Sequence, residues 1–366
     1  MAESFYKSLD IGKDVVSTRT LLHEAIPLTG TIVSGTYADA NIKEYAHGMF
    51  QSVYDYPYLS SSANHIFDIA VGVSSKSSKY ASVTSQKAKK LNVYNQMAQV
   101  LMGYDHTGSI QRFDEDGNIL AGGNKLDNVF FMNFSRLLVK DEIKKGTFEM
   151  ELGLNSDYDQ AGAVFTRRIK IADSSGSNGF FVNSPVGEYG ILFATGSTNN
   201  NVLEANQSYK VGLLFYQAGV VVISGSVFHD AAQGGILNTS LTDSTKMLTD
   251  SGYHGFDIVT GSTVSTVATA IRNRIYNLQF NNSVELNSTI YFCRANHNEF
   301  NYSTNPTYLS GSKIRVKTQA SDLPVSYITT VGLYNDNNEL LATAKLSEPL
   351  KKTSDTEFTI RVRLDY

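Results

Sequence analysis

The sequence has few of the residues that stiffen or cross-link a chain: one cysteine (Cys293), no tryptophan and 6 prolines among 366 residues. A single thiol excludes a disulfide framework within the chain, and in an apolar stretch it predicts a small buried hydrophobe. No run of about 18 apolar residues is present to span a bilayer. The polar opening stretch MAESFYKSLDIGKD predicts no signal peptide. We expect a soluble protein that is made inside the cell.

Charge is also scarce, at 18% of residues with a net charge of -4. Proteins that bind nucleic acid or anionic membranes usually carry a basic patch or a basic balance. The one basic cluster, KAKK at 87–90, has no aromatic residues interleaved with it and predicts a solvated helix start. We therefore expect neither nucleic acid nor a membrane as a partner.

The abundant residues are those of β-sheets and turns, with 21 Tyr, 19 Phe and 28 Gly beside many Ser, Thr and Asn. The predicted fold class is α+β: predominantly antiparallel β with a few helices, long loops and a C-terminal β-hairpin or meander module. The length favours two domains. We place an N-terminal α+β domain at 1–160 and a β-rich domain at 161–366, with the C-terminal module from about 310.

Three stretches show apolar residues at helical spacing. Residues 39–55 have Ile42, Tyr45, Met49 and Val53 at three- and four-residue steps, with Asp39 in position to cap a helix. Residues 90–104 and 264–280 show the same spacing, although β-branched residues weaken the second of these. The low-complexity stretch 74–90 predicts a loop, as do 196–208 and 229–262, and these loops are candidate contact regions or ordinary surface loops.

The remaining apolar runs predict strands. They are 64–73, 127–143, 146–154, 167–173, 189–195, 285–295 and 312–319, and a long apolar run at 209–228 that is expected at the centre of a sheet. Residues 20–26 fit either a short helix or a strand. Asp116-Gly117 between apolar flanks predicts a hairpin.

The end of the chain gives the clearest pattern. Residues 327–334 and 339–346 alternate in polarity around the polar stretch Asn335–Asn338, which predicts a β-hairpin. The closing segment FTIRVRLDY places Phe358, Ile360, Val362 and Leu364 on one face and charged residues on the other. It predicts either an internal edge strand protected by Arg361 and Arg363 or a strand that adds to a neighbour's sheet.

No pattern of catalytic or metal-ligating residues emerges. The G-x-S-x-G elbow, the phosphate-binding loops and the zinc-protease motif are absent, and HEAIP at 23–27 lacks the second histidine. His297 follows Cys293 by four residues, which we interpret as a core thiol beside a loop histidine. DEDGN at 114–118 resembles part of a calcium loop, but its twelfth position is Lys125, so a solvated turn is predicted. We predict no catalytic, cofactor-binding or metal-binding residues and no enzyme activity; a weak ion site near Asp105 and His106 stays open.

The stretch from Ile328 to the end resembles the carboxy-terminal modules of tail and baseplate proteins of large tailed bacteriophages. The matching residues are Val331–Tyr334, Asp336, Leu340–Ala342 and Phe358–Leu364. The stretches at 92–110, 133–154 and 183–195 are also similar to virion structural proteins of large marine phages and cyanophages.

This resemblance implies a non-enzymatic virion component, most like a wedge subunit of the tail baseplate. It implies other virion structural proteins as partners, several copies in a symmetric ring or a homo-oligomer, no cofactor, and assembly in the host cytoplasm. A neck or portal-proximal component is one alternative. A receptor- or glycan-binding appendage is another, and it would present exposed tyrosines, although the lack of tryptophan counts against it. A virion-associated glycan hydrolase is a third.

Overall fold

The protein was analysed as a computed structural model, which describes residues 6–28, 39–77, 84–118, 123–153, 168–196, 209–228, 263–301, 309–310, 313–314, 321 and 325–366. The predicted loop at 229–262, residues 197–208 and 78–83, and all but Lys313–Ile314 of the strand predicted at 312–319 lie outside these ranges.

The described structure consists mainly of antiparallel β-strands with a few helices, which confirms the predicted fold class. The helices are α1 (Ile11–Asp14), α2 (Ser85–Leu101), α3 (Arg136–Val139) and α4 (Val264–Arg274). The strands of the first half are β1 (Val15–Pro27), β2 (Ile42–Glu44), β3 (Phe50–Tyr54), β4 (His65–Val73), β5 (Asn128–Phe134), β6 (Glu142–Ile143), β7 (Glu149–Gly153) and β8 (Arg168–Ala172). Those of the second half are β9 (Phe181–Ser184), β10 (Gly187–Gly196), β11 (Tyr209–Phe215), β12 (Val220–Ser224), β13 (Ile275–Ala295), β14 (Leu309–Ser310), β15 (Lys313–Ile314), β16 (Val325–Tyr334), β17 (Leu340–Thr353) and β18 (Phe358–Asp365).

The chain divides into two compact units. The terminal unit joins Met1–Leu21 to Glu285–Tyr366, and the central unit comprises Leu22–Val284. This division by contacts does not measure which segments fold alone, so the predicted domains 1–160 and 161–366 stay a prediction. Strands β7 and β8, which lie on either side of residue 160, are paired from Glu149↔Ala172 to Gly153↔Arg168.

The central unit is built on a long sheet with the strand order β13-β7-β8-β10-β11-β12-β5-β4-β3-β2. Successive side chains on a strand point to opposite faces of the sheet. Where other elements pack on both faces, both faces carry apolar residues. On one face Val267 and Ile271 of α4 pack with Phe130 and Val221 of the sheet. On the other face Tyr94 of α2 packs with Phe131 and Phe215. The sheet is therefore a middle layer between two apolar layers.

The structure confirms several predicted elements. The strand at 64–73 is β4, the strand at 167–173 is β8, and the strand at 189–195 lies within β10. The run at 209–228 forms two central strands, because a turn at Gly219, with a φ of 67°, separates β11 from β12. The stretch 20–26 is extended and belongs to β1. The predicted hairpin and closing strand are β16, β17 and β18.

Several predictions are wrong in part or in full. The strand predicted at 127–143 ends at Phe134, where helix α3 follows before the short strand β6. Residues 39–55 form β2, a turn and β3 instead of a helix, with Ile42 paired to Val53 across the two strands. The predicted loop at 74–90 contains the start of α2, since the Thr84 hydroxyl accepts the Lys87 N–H at 3.3 Å and caps the helix at Ser85. The helix predicted to reach residue 280 ends at Arg274, where β13 begins.

In the terminal unit β18 pairs with β13 from Ser288↔Asp365 to Ala295↔Phe358, and this pairing belongs to the long sheet that contains β13. The strands β14 and β15 form a short two-stranded sheet. Another two-stranded sheet is a ribbon of β16 and β17, paired from Val325↔Thr353 to Tyr334↔Leu340 with irregular register near Ile328 and Leu333. We call this pair of strands the terminal ribbon.

Candidate functional surfaces

The described part of the terminal unit buries few apolar side chains. Among these residues, the only buried hydrophobic side chains are those of Ala295, Leu333 and Val362. The central unit buries more than ten times as many. The terminal unit also exposes many large apolar side chains: Tyr6, Ile11, Val16, Leu21, Leu286, Phe300, Tyr327, Tyr334, Leu340, Leu341 and Tyr366. Where exposed apolar side chains such as these lie together, they form a candidate interaction surface.

The terminal ribbon presents apolar side chains on both of its faces. Tyr334 and Leu340 are a cross-strand pair, and both lie over Gly332, where a Cβ atom would come within 2.9 Å of the Tyr334 ring. Leu341, the next residue on β17, points the other way and is 67% exposed. A ribbon of two strands has no core between layers, and such hairpins are marginally stable alone in water. The Tyr6 ring packs against Tyr334, with 4.9 Å between the ring centroids, while Leu340 and Leu341 of the ribbon stay exposed.

The turn of the ribbon is held by a local hydrogen-bond network. The Asn335 side-chain oxygen accepts the N–H groups of Asn337 and Glu339, at 3.0 and 2.8 Å. The Asn335 amide donates to Glu339 Oε2 at 2.7 Å. Asn338 has a φ of 61°, the left-handed conformation that asparagine tolerates well. This network confirms the turn predicted from the polar residues at 335–338.

The base of the ribbon is fixed by one buried lysine. Lys352 is fully buried and donates to the carbonyl of His297 at 3.1 Å, to Asn301 Oδ1 at 2.7 Å and to the carbonyl of Thr353 at 2.7 Å. These bonds tie β17 to the segment after β13. Burial lowers the pKa of Lys352, and the hydrogen bonds give its ammonium group three acceptors. We assign it a structural role.

The closing strand β18 is paired along one edge only, with β13, in the part of the chain that the structure describes. Its apolar residues Ile360 and Val362 lie beside Cys293 and Tyr291 of β13, as the alternation predicted. Arg363 donates to Asp365 at 2.7 Å and to the Ser288 hydroxyl at 3.0 Å, and both Arg361 and Arg363 are exposed on the polar face of the strand. This arrangement fits both interpretations made from the sequence, an edge strand protected by its charges and a strand that adds to a neighbour's sheet.

Cys293 and His297 have separate partners. Burial raises the pKa of the Cys293 thiol, and the charge of Asp14 raises it further, so the thiolate is disfavoured. His297 is exposed, and its Nδ1 lies 3.3 Å from Glu357 Oε1. A raised thiol pKa is the opposite of what a cysteine nucleophile needs.

The acidic stretch 114–118 lines a cleft of about 330 Å³ together with residues across from it. The cleft is lined by Glu115, Asp116, Gly123, Asn124, Tyr209 and Lys210. Asp114 itself is fully buried and forms an ion pair with Lys125, the residue that stands at the twelfth position of a calcium loop. The prediction of a solvated turn is therefore wrong for Asp114, because its charge is paired inside the fold.

Other residues considered from the sequence are also engaged in the structure. The Asp105 carboxylate accepts the Thr107 hydroxyl at 2.6 Å, which lowers its pKa most, and the N–H groups of Ser109 and Thr107 at 2.9 and 2.8 Å, which lower it further and shape a turn. His23 lies 3.1 Å from the Ser283 hydroxyl. Lys90 is fully buried, contrary to the predicted solvated helix start, and burial lowers its pKa to about 7.

The part of the chain that the structure describes contains no group of three or more His, Cys, Asp and Glu side chains that could hold a metal ion. Within the same ranges, no helix combines the length and apolar character needed to cross a membrane.

Comparison of the chain with protein-family models, with curated proteins and with solved structures finds no match in any of the three.

Proposed function

We propose that this protein is a non-enzymatic structural subunit that acts through protein–protein interfaces, in the virion of a large tailed bacteriophage. The proposed station is the tail baseplate, as a wedge subunit, with a neck or portal-proximal position as the alternative. The phage context is supported by the sequence resemblance of the terminal hairpin and closing strand. The interface role is supported by the terminal unit, whose apolar side chains lie largely outside any core.

The single observation that carries the interface role is the burial of only three apolar side chains in the described part of the terminal unit. Full burial of one such side chain is worth about 1.5–3 kcal/mol, while ordering each residue costs about 1–2 kcal/mol of backbone entropy. A unit with so little buried apolar surface is stabilised strongly by a partner that covers its exposed apolar side chains. The proposed partners are further copies of this chain and other virion proteins.

Self-association is the first property to test, by light scattering and sedimentation over a wide range of protein concentration. The variant Leu340→Ser/Leu341→Ser removes two exposed apolar side chains from the terminal ribbon. We expect the association constant to fall at least about tenfold for each leucine, since 1.4 kcal/mol corresponds to a factor of ten. The matched control is Leu137→Ser/Val182→Ser, which changes two equally exposed residues of the central unit.

Cross-linking of purified virions whose genome encodes the chain tests the virion context. Lys345 and Lys351 are exposed on β17 and provide reactive amines on the terminal ribbon. We expect cross-links from these lysines to a second copy or to another tail protein. Absence of the chain from the particles would overturn the phage assignment, and a strictly monomeric protein whose ribbon lysines cross-link to no other chain would overturn the interface role.

A further inference from the structure

One face of β2, β3 and β4 carries a row of polar side chains in cross-strand register, in which Ser52 is buried and Lys43 and Asp68 are partly exposed. Lys43 pairs with Ser52, Ser52 with Asp68, and Asp68 with Asn133 of β5. Directly paired residues of antiparallel strands project on the same face, so these four side chains form one row across the sheet. The row lies on the face opposite to Phe67 and Ile69, which belong to the apolar core.

Hydrogen bonds connect the centre of this row. The Ser52 hydroxyl lies 2.5 Å from Asp68 Oδ1 and 3.2 Å from the Tyr45 hydroxyl. His65 Nε2 lies 2.8 Å from the same carboxylate oxygen of Asp68. Within the described ranges, Asp68 Oδ2 and His65 Nδ1 have no hydrogen-bond partner, and both side chains are partly exposed. A ligand on this face meets one open acceptor and one open ring nitrogen.

Aromatic rings stand on both sides of the polar row. On one side the Tyr45 ring is 4.8 Å from the Phe50 ring and stacks with His47 at 5.2 Å. On the other side the Tyr54 ring lies 5.5 Å from His65 and 6.5 Å from Tyr58. The rings therefore border the row of hydrogen-bonding groups along β3.

The loop between β3 and β4 extends this surface and is held in one conformation. The Asp55 carboxylate accepts the N–H groups of Tyr56 and Asn64, at 2.8 and 2.6 Å, and the Asn64 side-chain amide at 2.8 Å. The Tyr58 N–H donates to the carbonyl of Ala40 at 3.1 Å. The loop presents Tyr56, Tyr58 and Leu59 to solvent, with Leu59 84% exposed. A preordered loop loses little entropy when it binds a ligand.

We propose that this surface binds an oligosaccharide, with Tyr54, Tyr58, His65 and Asp68 as its contact residues. Sugar hydroxyl groups both donate and accept, and they complement the open oxygen of Asp68 and the open nitrogen of His65. The apolar C–H faces of a sugar ring pack against exposed tyrosine rings, which offer large area at small entropic cost. The site lies within the central unit and is separate from the terminal ribbon.

Other ligand classes fit this face less well. An anionic ligand meets the Asp68 carboxylate at the centre of the row, with Lys43 as the cation in the row. An apolar protein surface would bury Asp68 and His65 without partners, and each unpaired polar group costs about 1–3 kcal/mol. A hydroxyl-rich ligand satisfies both groups.

The test uses the full chain on an array of immobilised oligosaccharides that includes glucans, chitin fragments and bacterial O-antigen fragments. The bound sugar is then titrated by calorimetry against three variants. Asp68→Asn keeps an oxygen for the Ser52 hydroxyl, and Tyr58→Ala removes an exposed ring from a loop that Asp55 holds. Each is expected to weaken binding at least about tenfold, whereas Tyr104→Ala, which removes a more exposed tyrosine elsewhere, is expected to leave it unchanged.

Absence of binding to every oligosaccharide on the array would overturn this proposal. Equal affinities for Tyr58→Ala, Asp68→Asn and Tyr104→Ala would also overturn it, because the sugar would then bind elsewhere. If Tyr58→Ala instead reduces self-association, the face is a protein interface and the saccharide assignment is wrong. The ribbon variant Leu340→Ser/Leu341→Ser is expected to bind sugar normally, so failure of the assembly proposal and failure of this one give different results.

Discussion

Asp173 is the clearest case in which the packing of one residue in the core changes its pKa. It is buried between β8 and β11, where its Oδ2 accepts the Gly146 N–H and the Tyr216 hydroxyl, each at 2.8 Å. Burial raises the pKa of Asp173 more than these hydrogen bonds lower it. The same burial, together with the Asp173 charge, raises the pKa of Tyr216, so the phenol stays a donor. The pair stabilises one arrangement of the core rather than a reactive site.

The variant Asp173→Asn tests this protonation argument. Below about pH 3.9 the carboxyl group is protonated in both states. As pH rises, the unfolded chain loses the proton first, while the folded protein keeps it until its higher pKa is reached. The stability that Asp173 contributes to the wild type is therefore fully present below the pKa of the unfolded chain. It is lost as pH rises from that pKa through the higher pKa of the folded protein.

Asparagine keeps an oxygen for the two donors and does not ionise. The free energy of unfolding of the variant is therefore expected to rise relative to that of the wild type as pH rises from about 4 towards neutral. The expected gain is on the order of 1 kcal/mol, measured by urea unfolding across that range. The control is Asp336→Asn on an exposed turn. A difference between variant and wild type that is independent of pH would contradict the argument.

Among the elements, the terminal ribbon depends most on its turn. Its strands pair only with each other, so the turn network of Asn335 has no neighbouring strand to support it. Local side-chain hydrogen bonds of this kind fix the register of a hairpin. The element therefore depends on a residue that touches no core.

The variant Asn335→Ala is expected to raise the hydrogen-exchange rates of the β16 and β17 amides about fivefold, because it removes bonds worth about 1 kcal/mol. The control is Asn337→Ala, in the same turn, since only the backbone N–H of Asn337 takes part in this network. If both variants exchange at the wild-type rate, the strand pairing alone holds the ribbon and the turn network contributes nothing.

At the scale of the whole molecule, the two units differ in how much apolar surface each buries. The central unit has apolar layers on both faces of its sheet, and the described terminal unit buries three apolar side chains. Unequal cores predict unequal local stabilities within one chain.

Hydrogen exchange of the isolated chain at low concentration is expected to show this inequality. Amides of β18 and the terminal ribbon should exchange at least about a hundredfold faster than those of β5 and β12, a difference of about 3 kcal/mol in opening free energy. In the assembled state the difference in exchange rate between the two units should become smaller, since a partner that binds the folded form stabilises it. Equal protection of both units in dilute solution would refute the proposed dependence on partners.

The sequence by itself determined those elements whose pattern is local. The alternation around Asn335–Asn338 predicted the terminal ribbon, and the four apolar residues of the closing strand predicted its inward face. Composition predicted an antiparallel, β-rich fold. These inferences succeed because period-two alternation and turn residues act over a few neighbouring positions.

Only the tertiary structure decided the secondary structure of residues 39–55 and the surface that these residues form. Ile42, Tyr45, Met49 and Val53 fit a helical period, but a turn closed by the Gly48 N–H and the Tyr45 carbonyl, at 2.8 Å, converts them into two strands. Pairing with β4 stabilises those strands and is invisible to local spacing. The row from Lys43 to Asn133 exists only because four strands lie in register, of which β5 is distant in sequence from the other three. The sequence sets which side chains alternate along a strand, and the strand pairing sets which of them meet.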